Sequence, residues 1–148
     1  MKSARGFSLV ELLVVVIIIG IIAAIAIPSL LASRRAANEA SAISSLRTIH
    51  SAQMTYFSTT GGNTTYAPDA TALGTAGLID PSLAAGTKSG YGFTVTTAAA
   101  IYCAKAVPST AASGTNYYAV ATVGVIFKGD NTQDCAAGAL TNPGTAIQ

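Results

Sequence analysis

The chain has 148 residues, of which 51% are hydrophobic and only 9% are charged, with a formal net charge of +2. This length fits one small domain plus an anchor, and the shortage of charge indicates a protein of a membrane or an assembly. The basic residues are scattered, so no stripe is available for nucleic-acid phosphates. The sequence also lacks a nucleophile elbow, a Walker A loop, the zinc motif H-E-x-x-H and a dinucleotide-type glycine motif. We therefore expect neither an enzyme, nor a cofactor, nor a specific nucleic-acid site.

The first element is an apolar segment at residues 7–27, preceded by Lys2 and Arg5. At about 1.5 Å per residue, some twenty helical residues cross a hydrocarbon layer of about 30 Å, so this segment predicts a transmembrane helix. The basic residues before it favour an N-terminus in the cytoplasm, although Arg34 and Arg35 beyond it weaken the asymmetry.

One acid, Glu11, lies inside this apolar segment. A secretory signal peptide is the alternative interpretation, because it also has a basic start, an apolar stretch and small residues such as Ala24 and Ala26. The segment is longer than a typical signal-peptide core, and a charged acid at the bilayer centre costs about 2.5–3.5 kcal/mol. A signal peptide that is cleaved off and discarded has no need of such an acid, so the presence of Glu11 indicates that this segment is retained and that the acid has a role in it.

The stretch RGFSLVELL at residues 5–13 and the apolar run to Pro28 resemble the class III signal of type IV pilins and related pseudopilins. The resemblance is strongest over residues 1–57. It implies that a prepilin peptidase cuts after Gly6, that Phe7 becomes the N-methylated first residue, and that Pro28 interrupts the helix. It also places Glu11 at the position of the acid five residues into the mature chain.

The resemblance gives Glu11 a physical explanation. Cleavage frees an ammonium on Phe7, and Glu11 of a neighbouring subunit can pair with it inside an apolar filament core. Removing one partner of a buried pair is strongly destabilising, so we expect Phe7 and Glu11 to set the register of assembly. The alternative is an acid that merely lies near the membrane surface. Gly20 and Pro28 both weaken the helix and predict local unwinding between them, although a gentle kink at Pro28 fits equally well.

The helix is predicted to resume after Pro28, because residues 30–57 contain no glycine or proline. Apolar residues recur there at helical spacing, which predicts that one face covers a head domain. Arg35 and Glu39 are four residues apart and are expected to form a surface pair. His50 is the sole histidine and is expected to be a helix-surface or packing residue rather than a metal ligand.

Beyond the helix, the turn residues 59–63 predict its end, and a loop region follows to about residue 89 with a short helix within 69–79. Residues 90–97, 101–107 and 117–127 are rich in β-branched and aromatic types and predict an antiparallel sheet of three or four strands. Gly124 marks either a hairpin or a bulge. The expected fold is α+β and pilin-like: a long N-terminal helix, transmembrane in its first half, packed against a small antiparallel sheet.

Cys103 and Cys135 are the two cysteines. An exported head lies in an oxidising compartment, which favours a disulfide over reduced or metal-binding thiols, since the close CxxC spacing is missing. In type IV pilins a C-terminal disulfide commonly pins the tail to the sheet, so the resemblance implies the same bond. Asp130 and Asp134 lie near each other in a loop but are expected to be solvated turn residues, so no metal site is predicted.

The sequence thus divides into a leader at 1–6, a transmembrane and filament-core helix at 7–28, an amphipathic continuation at 29–57 and a globular head at 58–148. The resemblance implies the structural subunit of a type IV pilus, which serves adhesion, twitching motility or DNA uptake. The implied partners are identical subunits, a prepilin peptidase and methyltransferase, an inner-membrane platform and a cytoplasmic assembly ATPase. The precursor would lie in the bacterial inner membrane and the product in an extracellular filament. A major pseudopilin of a type II secretion system and a membrane-anchored binding module are the alternatives.

Overall fold

The computed structural model describes residues 7–98 and 100–147, so the predicted leader and its cleavage residue Gly6 lie outside the described residues. The chain forms two compact units, one ending at Arg34 and the other beginning at Arg35. A single helix, α1, runs from Leu9 to Ser58 and contributes to both.

In the first unit, α1 is helical across Gly20 and Pro28, so the predicted interruption is not seen in this structure. The helix can accommodate Pro28 because the fixed φ of proline is helical, although proline lacks the N–H and so removes one backbone hydrogen bond. The helix is long and apolar enough to cross a membrane, and none of its most apolar window is buried within the chain. Unwinding of this segment in an assembled filament stays a prediction.

In the second unit, the rest of α1 has one buried face. Its buried residues recur every three or four positions, which confirms the amphipathic pattern: they are Ala42, Ser45, Leu46, Ile49, Ala52 and Gln53. The helix ends at Ser58, as predicted, in turns that place Gly62 and Asn63 at positive φ.

Two short helices follow instead of the one predicted at 69–79. Helix α2 spans Ala70–Thr75 and α3 spans Pro81–Ala84. Asp69 and Asp80 accept a hydrogen bond from the backbone N–H three residues on, so each caps its helix. The sequence Asp80-Pro81, a cap followed by proline in the first turn, is a signal for α3 that our sequence analysis did not use.

The strands are β1 Thr87–Lys88, β2 Tyr91–Ala98, β3 Ile101–Pro108, β4 Tyr117–Ala121, β5 Ile126–Gly129, β6 Asp134–Ala136, β7 Ala139–Thr141 and β8 Thr145–Ile147. Six of them form the main antiparallel sheet in the order β1-β2-β3-β4-β5-β8, and β6 pairs with β7 separately. The predicted strands 90–97 and 101–107 are confirmed as β2 and β3. The predicted strand 117–127 is a hairpin of β4 and β5, with Gly124 in its turn at φ +79°.

The core lies between the buried face of α1, the short helices and one face of the sheet. Its members come from all of these elements and include Leu46, Leu73, Leu83, Tyr91 and Val120. This arrangement confirms the predicted α+β class, but the expectation of three or four strands was too low.

Candidate assembly site

The apolar part of α1 is the first feature that calls for a partner. The large apolar side chains from Phe7 to Leu31 are exposed to solvent, Phe7 by 82% and Ile25 by 73%. Burying a side chain of this kind gains about 1.5–3 kcal/mol, so a continuous exposed run is stable only in a bilayer or against other helices. A Cβ built on Gly20 would meet no atom within 4 Å, so no contact among the described residues requires a glycine there.

Glu11 lies in the first turn of this helix and takes part in a capping box. The Ser8 backbone N–H donates to Oε2 of Glu11 at 3.0 Å, and Ser8 Oγ accepts from the Val10 N–H at 3.3 Å. Each side chain therefore satisfies a backbone donor that the helix leaves free. The signal for this contact is the pattern S-x-x-E before an apolar run, which our sequence analysis did not use. The carboxylate also lies at the positive end of the helix dipole.

The surroundings of Glu11 are apolar. It lines an open hollow of about 420 Å³ together with Phe7, Val10, Val14 and Val15. A partner that packs its own apolar residues against this surface could therefore place a cationic group next to the carboxylate.

Glu39 occupies a different environment from the one predicted. Instead of pairing with Arg35, its carboxylate accepts hydrogen bonds from the segment between β3 and β4 and from β4 itself. The donors are the backbone N–H groups of Thr115 and Asn116, the hydroxyls of Thr115 and Tyr118, and the Asn116 amide, at 3.0–3.4 Å. Arg35 Nε is buried and has no hydrogen-bond partner among the described residues. The predicted surface pair is therefore wrong, because a loop distant in sequence supplies better donors.

These donors shift the ionisation of the groups involved. Partial burial opposes the charge of Glu39, but the hydrogen bonds from Thr115, Asn116 and Tyr118 together outweigh it and lower its pKa. Burial and the nearby Glu39 carboxylate raise the pKa of Tyr118 to about 12. Glu39 therefore stays charged and Tyr118 stays a donor at neutral pH.

The predicted disulfide between Cys103 and Cys135 is present and joins β3 to β6, with Cα atoms 5.5 Å apart. Two further contacts hold the same tail: Lys105 Nζ lies 2.6 Å from Asp134 Oδ1, and Thr96 Oγ1 donates to the Cys135 carbonyl at 3.3 Å. The C-terminal strands are therefore fixed to the sheet by covalent and polar contacts together.

The remaining candidate residues have local partners. Asp130 Oδ1 accepts from the N–H and the hydroxyl of Thr132, which defines a turn. His50 is hydrogen-bonded to Tyr102 and lies at the junction of helix and sheet. Within residues 7–98 and 100–147, no three His, Cys, Asp or Glu side chains are grouped so as to hold a metal ion.

Comparison with known proteins supports the resemblance found in the sequence. Residues 1–27 match the family model described as the prokaryotic N-terminal methylation motif. The chain is 56% identical over 39 residues to the type IV wide pilus major component PilA4 of Thermus thermophilus. This aligned segment covers 26% of this chain and 30% of that protein. It is 44% identical over 54 residues to the type IV major pilin protein PilA of Myxococcus xanthus, covering 36% of this chain and 24% of that protein.

The chain thus spans less than a third of either of these relatives. No solved structure matches it. The resemblance to type IV pilins is confirmed over these matched segments, since one relative is named as a major component of a pilus and the other as a major pilin.

Proposed function

We propose that this chain is the structural subunit of a type IV pilus and polymerises through its N-terminal helix into a cell-surface filament. The observation that carries the proposal is the exposed apolar run from Phe7 to Leu31, with one capped carboxylate in its first turn. The methylation motif at residues 1–27 and the two pilin relatives agree with it.

The apolar helix would serve two environments in turn. In the precursor it would anchor the chain in the inner membrane, and after assembly it would be buried against the helices of identical subunits. The same apolar side chains suit both states because neither bilayer nor filament core supplies water. A membrane platform and a cytoplasmic ATPase would drive the transfer from one state to the other.

Glu11 would select the correct neighbour during that transfer. Cleavage between Gly6 and Phe7 by a prepilin peptidase would create an ammonium, methylated by the same class of enzyme, and Glu11 of the adjacent subunit would pair with it. Within the part of the chain that the structure describes, Oε1 of Glu11 accepts no hydrogen bond, whereas Oε2 is used by Ser8. One oxygen is therefore available for the neighbour while the other keeps the helix capped.

The experiment compares two substitutions of Glu11, since capping and pairing predict different outcomes. Glu11→Gln keeps an acceptor for the Ser8 N–H and so preserves the capping box, but it removes the charge. Glu11→Ala removes both. Filaments are sheared from cells that carry each variant, and the subunit is quantified there and in the membrane fraction by immunoblotting.

If the charge pairs with a neighbour, both variants accumulate in the membrane and are depleted from filaments. Filaments from Glu11→Gln at the wild-type level, with loss only for Glu11→Ala, would show that capping explains Glu11 and that the pairing is wrong. Mass spectrometry of the wild-type subunit should find a methylated Phe7 and a mass two hydrogens lower for the disulfide. Cleaved subunits that never leave the membrane would instead indicate the pseudopilus of a type II secretion system.

A further inference from the structure

Two arginines, Arg34 and Arg35, directly follow the apolar segment of α1. Residues 12–33 carry no charged side chain, and at about 1.5 Å per residue they extend over roughly 33 Å. This length is close to the hydrocarbon thickness of a bilayer, which is about 30 Å. If the apolar segment spans a membrane, the two arginines lie at its far surface, at the level of the lipid headgroups.

The far surface is an unfavourable place for a pair of basic residues. Arginine and lysine beside a membrane span are preferentially kept in the cytoplasm, and Lys2 and Arg5 already mark that side of the chain. With the N-terminus in the cytoplasm, Arg34 and Arg35 have to be carried across the membrane. A favourable interaction on the far side is needed to offset this cost.

The chain supplies no acidic side chain as a counter-ion for either arginine. The two ion pairs found among residues 7–98 and 100–147 are made by lysines. Glu39, one turn beyond Arg35, gives its carboxylate to donors in residues 115–118. The sequence outside the described residues contains no aspartate or glutamate. An anion that balances the two arginines therefore comes from another molecule.

The two arginine side chains differ in exposure. Arg34 is exposed, whereas Arg35 is half-buried and its Nε is enclosed without a hydrogen-bond partner among the described residues. A guanidinium that loses water at one nitrogen and gains no acceptor there is left incompletely solvated. An anion at its other N–H groups offsets that loss, and the planar guanidinium fork matches the oxygen atoms of a phosphate.

We propose that Arg34 and Arg35 bind the phosphate of an anionic phospholipid in the outer leaflet of the inner membrane. The inference rests on the proposed function, because it requires α1 to anchor the precursor in that membrane. The headgroup supplies the missing negative charge, and the arginines fix the depth at which the apolar segment stops. Assembly into a filament breaks these contacts, so the lipid composition influences how readily the subunit leaves the membrane.

The test measures lipid binding to the full-length chain in detergent by native mass spectrometry. Phosphatidylglycerol is titrated alongside phosphatidylcholine, which has the same phosphate but no net charge. The variant is Arg34→Gln combined with Arg35→Gln, and the matched control is Arg47→Gln, which removes an exposed arginine roughly 18 Å further along the same helix. The basic residues of the leader are present in all of these proteins, so lipid that they bind is a common background.

A basic residue near an anionic lipid surface contributes about fivefold in affinity. We therefore expect the double variant to lose its preference for phosphatidylglycerol by roughly tenfold or more, and Arg47→Gln to keep the wild-type preference. An equal preference in the wild type and the double variant would overturn the lipid site. Displacement of phosphatidylglycerol by inorganic phosphate at the same concentration would also overturn it, because the arginines would then bind free phosphate.

A second measurement separates this inference from the proposed function. Filaments are sheared from cells that carry the double variant, and the subunit is quantified there and in the membrane fraction. Loss of filaments with unchanged lipid binding would show that the arginines contact a neighbouring subunit, which overturns the lipid site and leaves the pilus subunit intact as a proposal. Loss of the lipid preference in the purified chain supports the lipid site whether or not filaments form.

Discussion

Replacing Glu39 by alanine should destabilise the head more than any other loss of a single acid. The carboxylate accepts five hydrogen bonds, all from residues 115–118. One of the donors, the Tyr118 hydroxyl, belongs to a side chain that is only 3% exposed. The adjacent Asn38 amide donates to the Ser113 carbonyl at 3.0 Å, so two neighbouring side chains hold one loop.

The size of the effect follows from what the substitution leaves behind. A hydrogen bond to a charged group contributes about 1.5–3 kcal/mol, and a buried donor without a partner costs about 1–3 kcal/mol. The carboxylate is half-exposed, so water can replace it for Thr115 but not for the buried Tyr118 hydroxyl. We expect Glu39→Ala to reduce the free energy of unfolding by about 2–3 kcal/mol, which corresponds to a fall in Tm of roughly 5–12 °C.

The assay is denaturant unfolding of the full-length chain in detergent, followed by near-ultraviolet circular dichroism of the tyrosines. Arg47→Ala is the matched control, because Arg47 is an exposed charged residue on the same helix and its removal should change stability by less than about 0.5 kcal/mol. The double variant Glu39→Ala with Tyr118→Phe should be more stable than the two single losses added together, since phenylalanine removes the orphaned donor. A cost of Glu39→Ala no larger than that of Arg47→Ala would refute the reasoning.

Three further outcomes can be measured by the same unfolding assay. Replacing both Cys103 and Cys135 by serine, which opens a link across 32 positions, should cost roughly 3–4 kcal/mol in the chain-entropy model, and unchanged stability would contradict the bracing role. Gln53→Ala should lower the free energy of unfolding by about 2–4 kcal/mol, because the fully buried amide is hydrogen-bonded to both the N–H and the carbonyl of Ala67. A loss below about 1 kcal/mol would mean that water replaces the amide at these two groups. Because the pKa of Glu39 is lowered in the folded protein, its contribution to the free energy of unfolding is complete above the ordinary pKa of 4.5 and is lost as the pH falls through the native pKa. The wild type should therefore be more stable than Glu39→Gln at neutral pH and lose this difference in acid. An undiminished difference in acid would contradict the sign.

The parts of the fold that the sequence predicts are those with a strong local pattern. The long helix combines an apolar run with a second half, residues 30–57, that has no glycine or proline, and β2 and β3 are eight-residue strands rich in β-branched and aromatic types. Strands β6, β7 and β8 have three residues each and are composed largely of alanine and threonine. Strand β8 depends on pairing with β5, and the hairpin of β6 and β7 is tied to β3 by the Cys103–Cys135 bond. No local periodicity encodes these contacts.

The same distinction explains which side-chain contacts could be foreseen. The capping box at Ser8 and Glu11 joins residues three apart and was readable from the sequence. The contact of Glu39 with Asn116 joins residues 77 apart, and the spacing of Arg35 and Glu39 suggested a different partner. Helical spacing identifies neighbours on one element only, so it cannot weigh them against donors that the tertiary fold brings in.

The acidic residues of this chain share a structural role, which is to accept hydrogen bonds from the backbone. The sequence has six, and the structure shows each accepting a hydrogen bond from a backbone N–H: they are Glu11, Glu39, Asp69, Asp80, Asp130 and Asp134. Five of these contacts span three residues or fewer and are local, whereas that of Glu39 spans 76. Glu39 is therefore the acid whose backbone contacts join distant parts of the chain. Glu11 is the one that lies in the apolar segment, and because its local contact uses a single oxygen, its placement there is compatible with both a capped helix and a charged neighbour.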